Sequence, residues 1–293
     1  MWFFSELLIH GMLSGSVYAL ISLAFVVVYK ASRMINFALG EFIMLASALV
    51  ATGINGLGLG LVGGLGFGFA GMIAFAIGFN HLVLRRLIGQ PLISFIMVTI
   101  GLGIFLQAFV VFVFSSIPGA IRLPIGEAPI RVMGLRLSPE ELITAMVAIL
   151  TITAVSWFFQ YSRTGVALRA IADDQQAAML VGIDLNHHFT LTWAIAGMIC
   201  VIAGTLWTFI SGGGFSLILV GLKVFPIVII GGLDSIPGVV IGAMFVGLLE
   251  SLAAGYIDPL MTGFSRVSAY LVLLIILFIR PYGLFGKPEI ERV

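Results

Sequence analysis

Five polar side chains sit where an apolar chain leaves little room for them: Asn36, Glu41, Gln107, Lys223 and Glu250 lie in or beside hydrophobic runs. A charge at the middle of a membrane span costs about 3 kcal/mol on insertion scales. Such groups face a bundle interior or a wet cavity, and they find a partner there. A second polar group gathers in "RTGVALRAIADDQQAAMLVGIDLNHH", Arg163 to His188, where charges alternate with small and apolar residues.

Other chemistries find no footing. His10, His81, His187 and His188 form no metal-ligand set with Cys, Asp or Glu. No serine stands in a nucleophile elbow with a base, so no catalytic residues are expected and the chain does not read as an enzyme. No Gly-rich phosphate loop followed by Lys and Ser or Thr occurs, so ATP hydrolysis cannot come from this chain. The net charge of +1, with no basic stripe, argues against nucleic acid. Cys200 is the single cysteine, which excludes an intramolecular disulfide and suits a small apolar filler.

The elements that hold these residues follow from composition. Of 293 residues, 61% are hydrophobic and 9% charged, against about 25% charged in soluble domains. A helix needs about 20 apolar residues to cross roughly 30 Å of hydrocarbon. No strand alternation of the barrel type is present, so helices must satisfy the backbone in lipid. Spans are expected at Leu7–Tyr29, Ile35–Thr52, Leu57–Phe79, Pro91–Phe114, Leu142–Phe159, Phe189–Ile210, Val239–Ala254 and Val267–Ile279. A short piece, Val224–Ile230, lies between the Gly212–Gly214 and Gly231–Gly232 runs and reads as a crossing or a re-entrant hairpin. The fold class is therefore all-α: a polytopic integral membrane bundle of about eight or nine spans with broken helices, one transmembrane domain over 1–293.

Basic residues mark the cytoplasmic side. Lys30/Arg33, Arg85/Arg86, Arg163/Arg169 and the tail residues Arg280, Lys287 and Arg292 go inside, which with nine crossings puts the N-terminus outside. The connector carrying Arg122, Glu127, Arg131 and Arg136 then faces outside. Gly60, Gly64, Gly68 and Gly71, and the pairs Gly11/Gly15 and Gly238/Gly242, place small residues on single helix faces where another backbone can approach.

Within the second span, Asn36 and Glu41 are five residues apart and converge only if the backbone breaks, for which Gly40 is the expected point. Glu41 lies about 12 Å along a helix from Arg33, interior but not central. Two readings stay open for it: a structural intrabundle bond or headgroup boundary, or a wall of a translocation path. The Gly231–Gly232 break could likewise line a cavity. For Lys223, a snorkelling ammonium at the interface is the plainer reading.

The polar stretch reads as one helix over Gly165–Gly182, with Thr164 as N-cap and Gly182 as stop. Ala177 and Ala178 leave a flat place on it. Only two arginines, opposed by Asp173 and Asp174, favour docking to a protein over lying on a membrane.

"QAAMLVG", Gln176 to Gly182, resembles the EAA---G loop of ABC importer permeases, matching at Ala177, Ala178 and Gly182, with Gln176 where Glu is usual. "INFALGEF" (Ile35 to Phe42), "SRTGVALRAIADDQQAAMLVGID" (Ser162 to Asp184), "GLKVFPIVIIGGLDSIPGVVIG" (Gly221 to Gly242) and "RPYGLFG" (Arg280 to Gly286) occur in order. Together they resemble the Liv-type permeases of branched-chain amino acid ABC transporters, and the H-type subunit rather than the longer M-type. The resemblance runs over nearly the whole chain. Leu39 stands where that family often has His before Gly-Glu.

The resemblance implies a type II importer fold in a bacterial inner (plasma) membrane. It implies a cytoplasmic coupling-helix loop at 161–188, with Arg169, Asp174, Gln176, Ala177, Ala178 and Gly182 at the ATPase contact. Asn36, Glu41, Gly231 and Gly232 are candidates for the path. The partners it implies are a second related permease, two cytoplasmic ABC ATPases and a periplasmic substrate-binding protein. ATP and Mg belong to the ATPases, and this chain holds no cofactor. The expected function is import of branched-chain or other apolar amino acids by alternating access. Urea, amides or small carboxylates are alternative solutes, and proton-coupled secondary transport is an alternative mechanism.

Overall fold

A computed structural model of the chain describes residues 2–87, 90–115, 119, 121, 130–132, 135–214, 216–280 and 283–285. The sequence expectations for Arg122, Glu127, Lys287 and Arg292 lie outside them. The helices are α1 (Trp2–Ser32), α2 (Leu39–Ala51), α3 (Gly60–Phe79), the single turn α4 (Arg85–Leu87), α5 (Leu92–Phe114), α6 (Pro139–Tyr161), α7 (Arg163–Asp173), α8 (Gln175–Leu180), α9 (Leu185–Ser211), α10 (Ser216–Gly231), α11 (Ile236–Tyr256) and α12 (Phe264–Ile279). Wide π turns at Thr52–Gly56 and Asn80–Leu84 extend α2 and α3. In the connector before α6, Ile130–Val132 and Leu135–Leu137 pair as a small antiparallel ribbon.

Seven of these segments are long and apolar enough to cross a membrane. Two apolar helices, α10 and α12, have 16 residues each, about 24 Å of rise and short of a full hydrocarbon core. The expected eight or nine apolar segments are therefore present among the described residues. The expected short piece at Val224–Ile230 is longer than its sequence suggests, because Pro226 sits inside a helix that begins at Ser216.

The chain divides into two compact units, Met1–Val26 with Ile125–Ile152 and Lys223–Val293, and Val27–Pro124 with Thr153–Leu222. In the second, α2 packs against α3, α5 and α9. Phe42, Phe75, Phe79 and Trp193 interlock there, with ring centroids 5.1–6.0 Å apart. Ser47 and Thr208 share a hydrogen bond of 2.7 Å between α2 and α9. The glycine spacing has the predicted effect on α3: a Cβ on Gly68 would strike Val50 Cγ2 at 2.5 Å, and one on Gly53 would strike the Gly64 Cα at 2.7 Å. α5 keeps large apolar side chains such as Ile104, Phe105 and Phe112 exposed, as a lipid-facing helix does.

In the first unit, glycines weld α1 to α11. A Cβ on Gly15 would lie 2.9 Å from the Met244 Cα, and one on Gly247 would lie 2.7 Å from the Gly15 Cα. The turn from α11 to α12 is tied by Asp258. It accepts from the Ser265 backbone N–H at 2.8 Å and the Ser265 hydroxyl at 2.7 Å, which caps the start of α12. These hydrogen bonds, with Arg266 nearby, hold the Asp258 carboxyl below the usual carboxylate range.

Candidate functional site

The loop at 161–188 is two helices, not one. Ser162, rather than Thr164, caps α7, its Oγ accepting from Gly165 N at 2.8 Å. Asp174 adopts extended backbone and breaks the predicted helix. Its Oδ1 then accepts from Gln176 N at 2.8 Å and Ala177 N at 2.9 Å, so the break becomes the cap of α8. Gly182 is the stop that the sequence indicates. It takes φ +85°, and the Ile183 N–H returns to the Ala178 carbonyl at 3.0 Å, a Schellman-type end.

α8 packs against α7 and α9, and this decides which residues face out. Ala178 is 3% exposed, so it is a packing residue rather than part of an open flat place. Gln176 and Ala177 are exposed. The apolar side chains that protrude are Leu180 (88% exposed) and Val181 (76%), with Met179 beside them. The sequence signal for Met179 and Leu180 is the helical phase: with Ala178 buried, the next two positions turn away, whereas Val181 lies past the last residue of α8. Arg169 lies at the other end of the loop, its guanidinium 3.4 Å from the Gln160 carbonyl.

Direct contacts bring the basic clusters of this unit to one end. Arg33 Nε reaches the Ala172 carbonyl of α7 at 3.4 Å. Asn80, one turn before Arg85, donates to Asn186 at 2.8 Å and Thr190 at 2.6 Å near the start of α9. Lys30/Arg33, Arg85/Arg86 and the 161–188 loop therefore share a side, as the charge rule requires.

The break before α2 is upstream of the place expected from Gly40. The chain leaves helix after Ser32, Arg33 takes φ +58°, and helix resumes at Leu39. Asn36 is 1% exposed. Its Oδ1 accepts from Ala38 N at 3.0 Å, which forms the turn, while its Nδ2 has no hydrogen-bond partner. Gly40 is helical and serves as a crossing point: a Cβ there would lie 3.0 Å from the Ile218 Cα of α10, and Gly221 faces it backbone to backbone. A glycine needed for close approach reads in sequence like a glycine needed for a bend.

Glu41, in the first turn of α2, is half-buried against α5. Its carboxylate fills the space left by Gly103, where a Cβ would stand 3.3 Å from Oε2. Gly231 and Gly232 end α10. A Cβ on Gly231 would lie 2.5 Å from the Gly238 carbonyl oxygen, and Gly232 takes φ +97° to turn the chain into α11.

Lys223 is paired, not snorkelling. Its Nζ lies 2.8 Å from one Glu250 carboxylate oxygen and 3.1 Å from the other. Tyr18 donates to Glu250 at 2.6 Å, and Lys223 also approaches the Tyr18 hydroxyl at 3.2 Å. The triad joins α1, α10 and α11 in the first unit. Sequence reasoning singled out Lys223 and Glu250 but missed Tyr18, because nothing local links positions 18 and 250.

Comparison with known proteins gives a consistent picture. The profile of the family described as branched-chain amino acid transport system / permease component matches residues 7–279. The chain is 32% identical to the high-affinity branched-chain amino acid transport system permease protein LivH of Escherichia coli, over 99% of this chain and 98% of that one. It is 31% identical to LivH of Salmonella typhimurium over the same shares. It is also 32% identical to the corresponding permease protein BraD of Pseudomonas aeruginosa, over 98% of this chain and 97% of that one.

Proposed function

Because the chain belongs to the family of branched-chain amino acid transport permeases, we propose that it is the membrane-spanning subunit of an ATP-driven importer for branched-chain or other apolar amino acids. It is a multi-pass protein of the bacterial inner membrane. The end-to-end similarity to LivH carries this reading, since the family match covers the loop and the spans together. The absence of a phosphate loop from the sequence supports a division of labour, in which ATP and Mg2+ are held by partners.

The partner set of this reading is a second, related permease, two cytoplasmic ABC ATPases and a periplasmic substrate-binding protein. α8 suits the ATPase contact, because a capped helix with exposed Met179, Leu180 and Val181 fits an apolar cleft. In the proposed cycle, closure of the ATPases pushes on α7 and α8, with Arg169, Asp174, Gln176, Ala177 and Gly182 at the joint and Ala178 seating α8. The segments around Asn36, Glu41, Gly231 and Gly232 then rearrange to alternate access. The test is ATP-dependent leucine uptake by the reconstituted complex. Uptake that persists without the ATPases and follows the proton gradient would refute the reading.

A further inference from the structure

The second unit holds a cavity of about 260 Å3 between α2, α5 and the start of α10. That is a little below the ~300 Å3 where small-molecule pockets begin, which limits the space to one small solute. Its walls include Met44 and Ala48 of α2, and Gln107, Val110 and Phe114 of α5. Ser47 also borders it, but its hydroxyl is engaged with Thr208 at 2.7 Å. The wall is thus mostly apolar, with the Gln107 amide and the Ser115 hydroxyl as its other polar side chains.

Helical phase joins this cavity to Glu41. On α2, Glu41, Met44 and Ala48 are three and four residues apart and share a face. On α5, Gly103, Gln107, Val110 and Phe114 do the same. The Glu41 carboxylate, lodged in the gap left by Gly103, therefore stands on the same α2–α5 face about one helical turn from the cavity. Met44 lies about 4.5 Å further along the axis of α2, and Gln107 about 6 Å from Gly103 along α5.

Glu41 and Glu250 differ in one respect. Glu250 has Lys223 as its counter-ion, whereas no basic side chain among the described residues pairs with Glu41. An intramembrane carboxylate without a cation is costly. A solute that brings its own ammonium group removes that cost.

We propose that the α2–α5 seam binds one aliphatic amino acid zwitterion. Glu41 takes the ammonium group, Gln107 the carboxylate, and the wall from Met44 and Ala48 to Val110 takes the branched side chain. This rests on the permease reading above and adds to it the residues that grip the solute. Gly103 is glycine because the carboxylate occupies its side-chain space.

The experiment uses the full complex in proteoliposomes and measures initial uptake of labelled leucine and valine. One methylene in an apolar pocket is worth about 10-fold or more in discrimination. Ala48→Leu, which shrinks the cavity, is expected to lower the leucine-to-valine ratio at least about fivefold, and Met44→Ala to raise it. Because the readout is a ratio, poor folding, which reduces both solutes equally, does not imitate it. Glu41→Gln is expected to raise KM for both solutes by about tenfold, the value of one lost charge-assisted hydrogen bond. Ratios within twofold of wild type in both cavity variants, or an unchanged KM in Glu41→Gln, overturn the site. Equal loss of both solutes in every variant, with normal membrane insertion and ATPase association, also overturns it. Absence of ATP-driven uptake in the wild-type complex is a separate result, against the permease reading itself.

Discussion

Removing Lys223 should destabilise the first unit more than removing Lys223 and Glu250 together. The Nζ–Oε distance of 2.8 Å corresponds to a Coulomb attraction of about 6 kcal/mol at an effective dielectric of about 20. Desolvation offsets most of it, since the two side chains are only 20% and 12% exposed. Lys223→Met keeps the desolvation of Glu250 and loses the attraction, an expected cost of about 3–5 kcal/mol. Glu250→Met strands the ammonium at similar cost. The double variant removes both burdens and leaves apolar groups of similar volume, but it also removes the Tyr18–Glu250 hydrogen bond; combined with Tyr18→Phe it is expected within about 1 kcal/mol of wild type. Tyr18→Phe should cost about 1.5–3 kcal/mol, the value of a hydrogen bond to a charged group. The assay is reversible unfolding of the purified chain in mixed micelles. A cost of 3 kcal/mol changes the folded-to-unfolded ratio more than about 100-fold, well within its range. If the double variant loses the sum of the two single losses, the residues share no interaction and the reasoning is refuted.

Leu180→Arg should reduce co-purification of the ATPases about tenfold or more with normal expression, as an unpaired charge in an apolar cleft does, while Ala178→Arg should fail earlier, in folding; equal recovery of ATPases with Leu180→Arg would exclude α8 as the contact. Gly221→Ala should cost at least about 1–3 kcal/mol by overpacking against Gly40, read as a loss of thermal stability. The depressed pKa of Asp258 means that its capping of α12 is fully present above the ordinary carboxylate range and is lost as pH falls through the lowered value. Hydrogen exchange at Phe264–Arg266, corrected for intrinsic rates, should accelerate on acidification in wild type and show a flat profile in Asp258→Asn.

The number of apolar segments and the shared end of the Lys30/Arg33, Arg85/Arg86 and 161–188 clusters were legible because both follow from summed composition. The loop was legible in place but not in form. Asp174 looks like one more charge in a mixed-charge helix, yet its short side chain competes for backbone N–H groups and splits the helix in two. Gly40 was legible as unusual, but sequence cannot say whether a missing side chain serves a bend or a neighbour. Its neighbour, Gly221, is far along the chain and enters only through tertiary packing. The same holds for Glu41 with Gly103 and for Tyr18 with Glu250: long-range pairs leave no periodic trace. Which face of α8 is open also required the fold, since Ala177 and Ala178 are adjacent and identical, and only packing in the folded chain buries one and exposes the other.

The glycine weld between α1 and α11 bears on how genetic data for this protein should be read. Gly15 and Gly247 bring two backbones within reach of each other, so any side chain there meets main chain that cannot step aside. In a growth-based saturation map of leucine utilisation, both positions will score as intolerant as a solute contact. Parallel measurement of protein abundance separates the two cases. At Gly15 and Gly247, abundance and growth should fall together, in order of side-chain volume from Ala to Ser to Val. At Glu41 or Gln107, growth should fall while abundance holds.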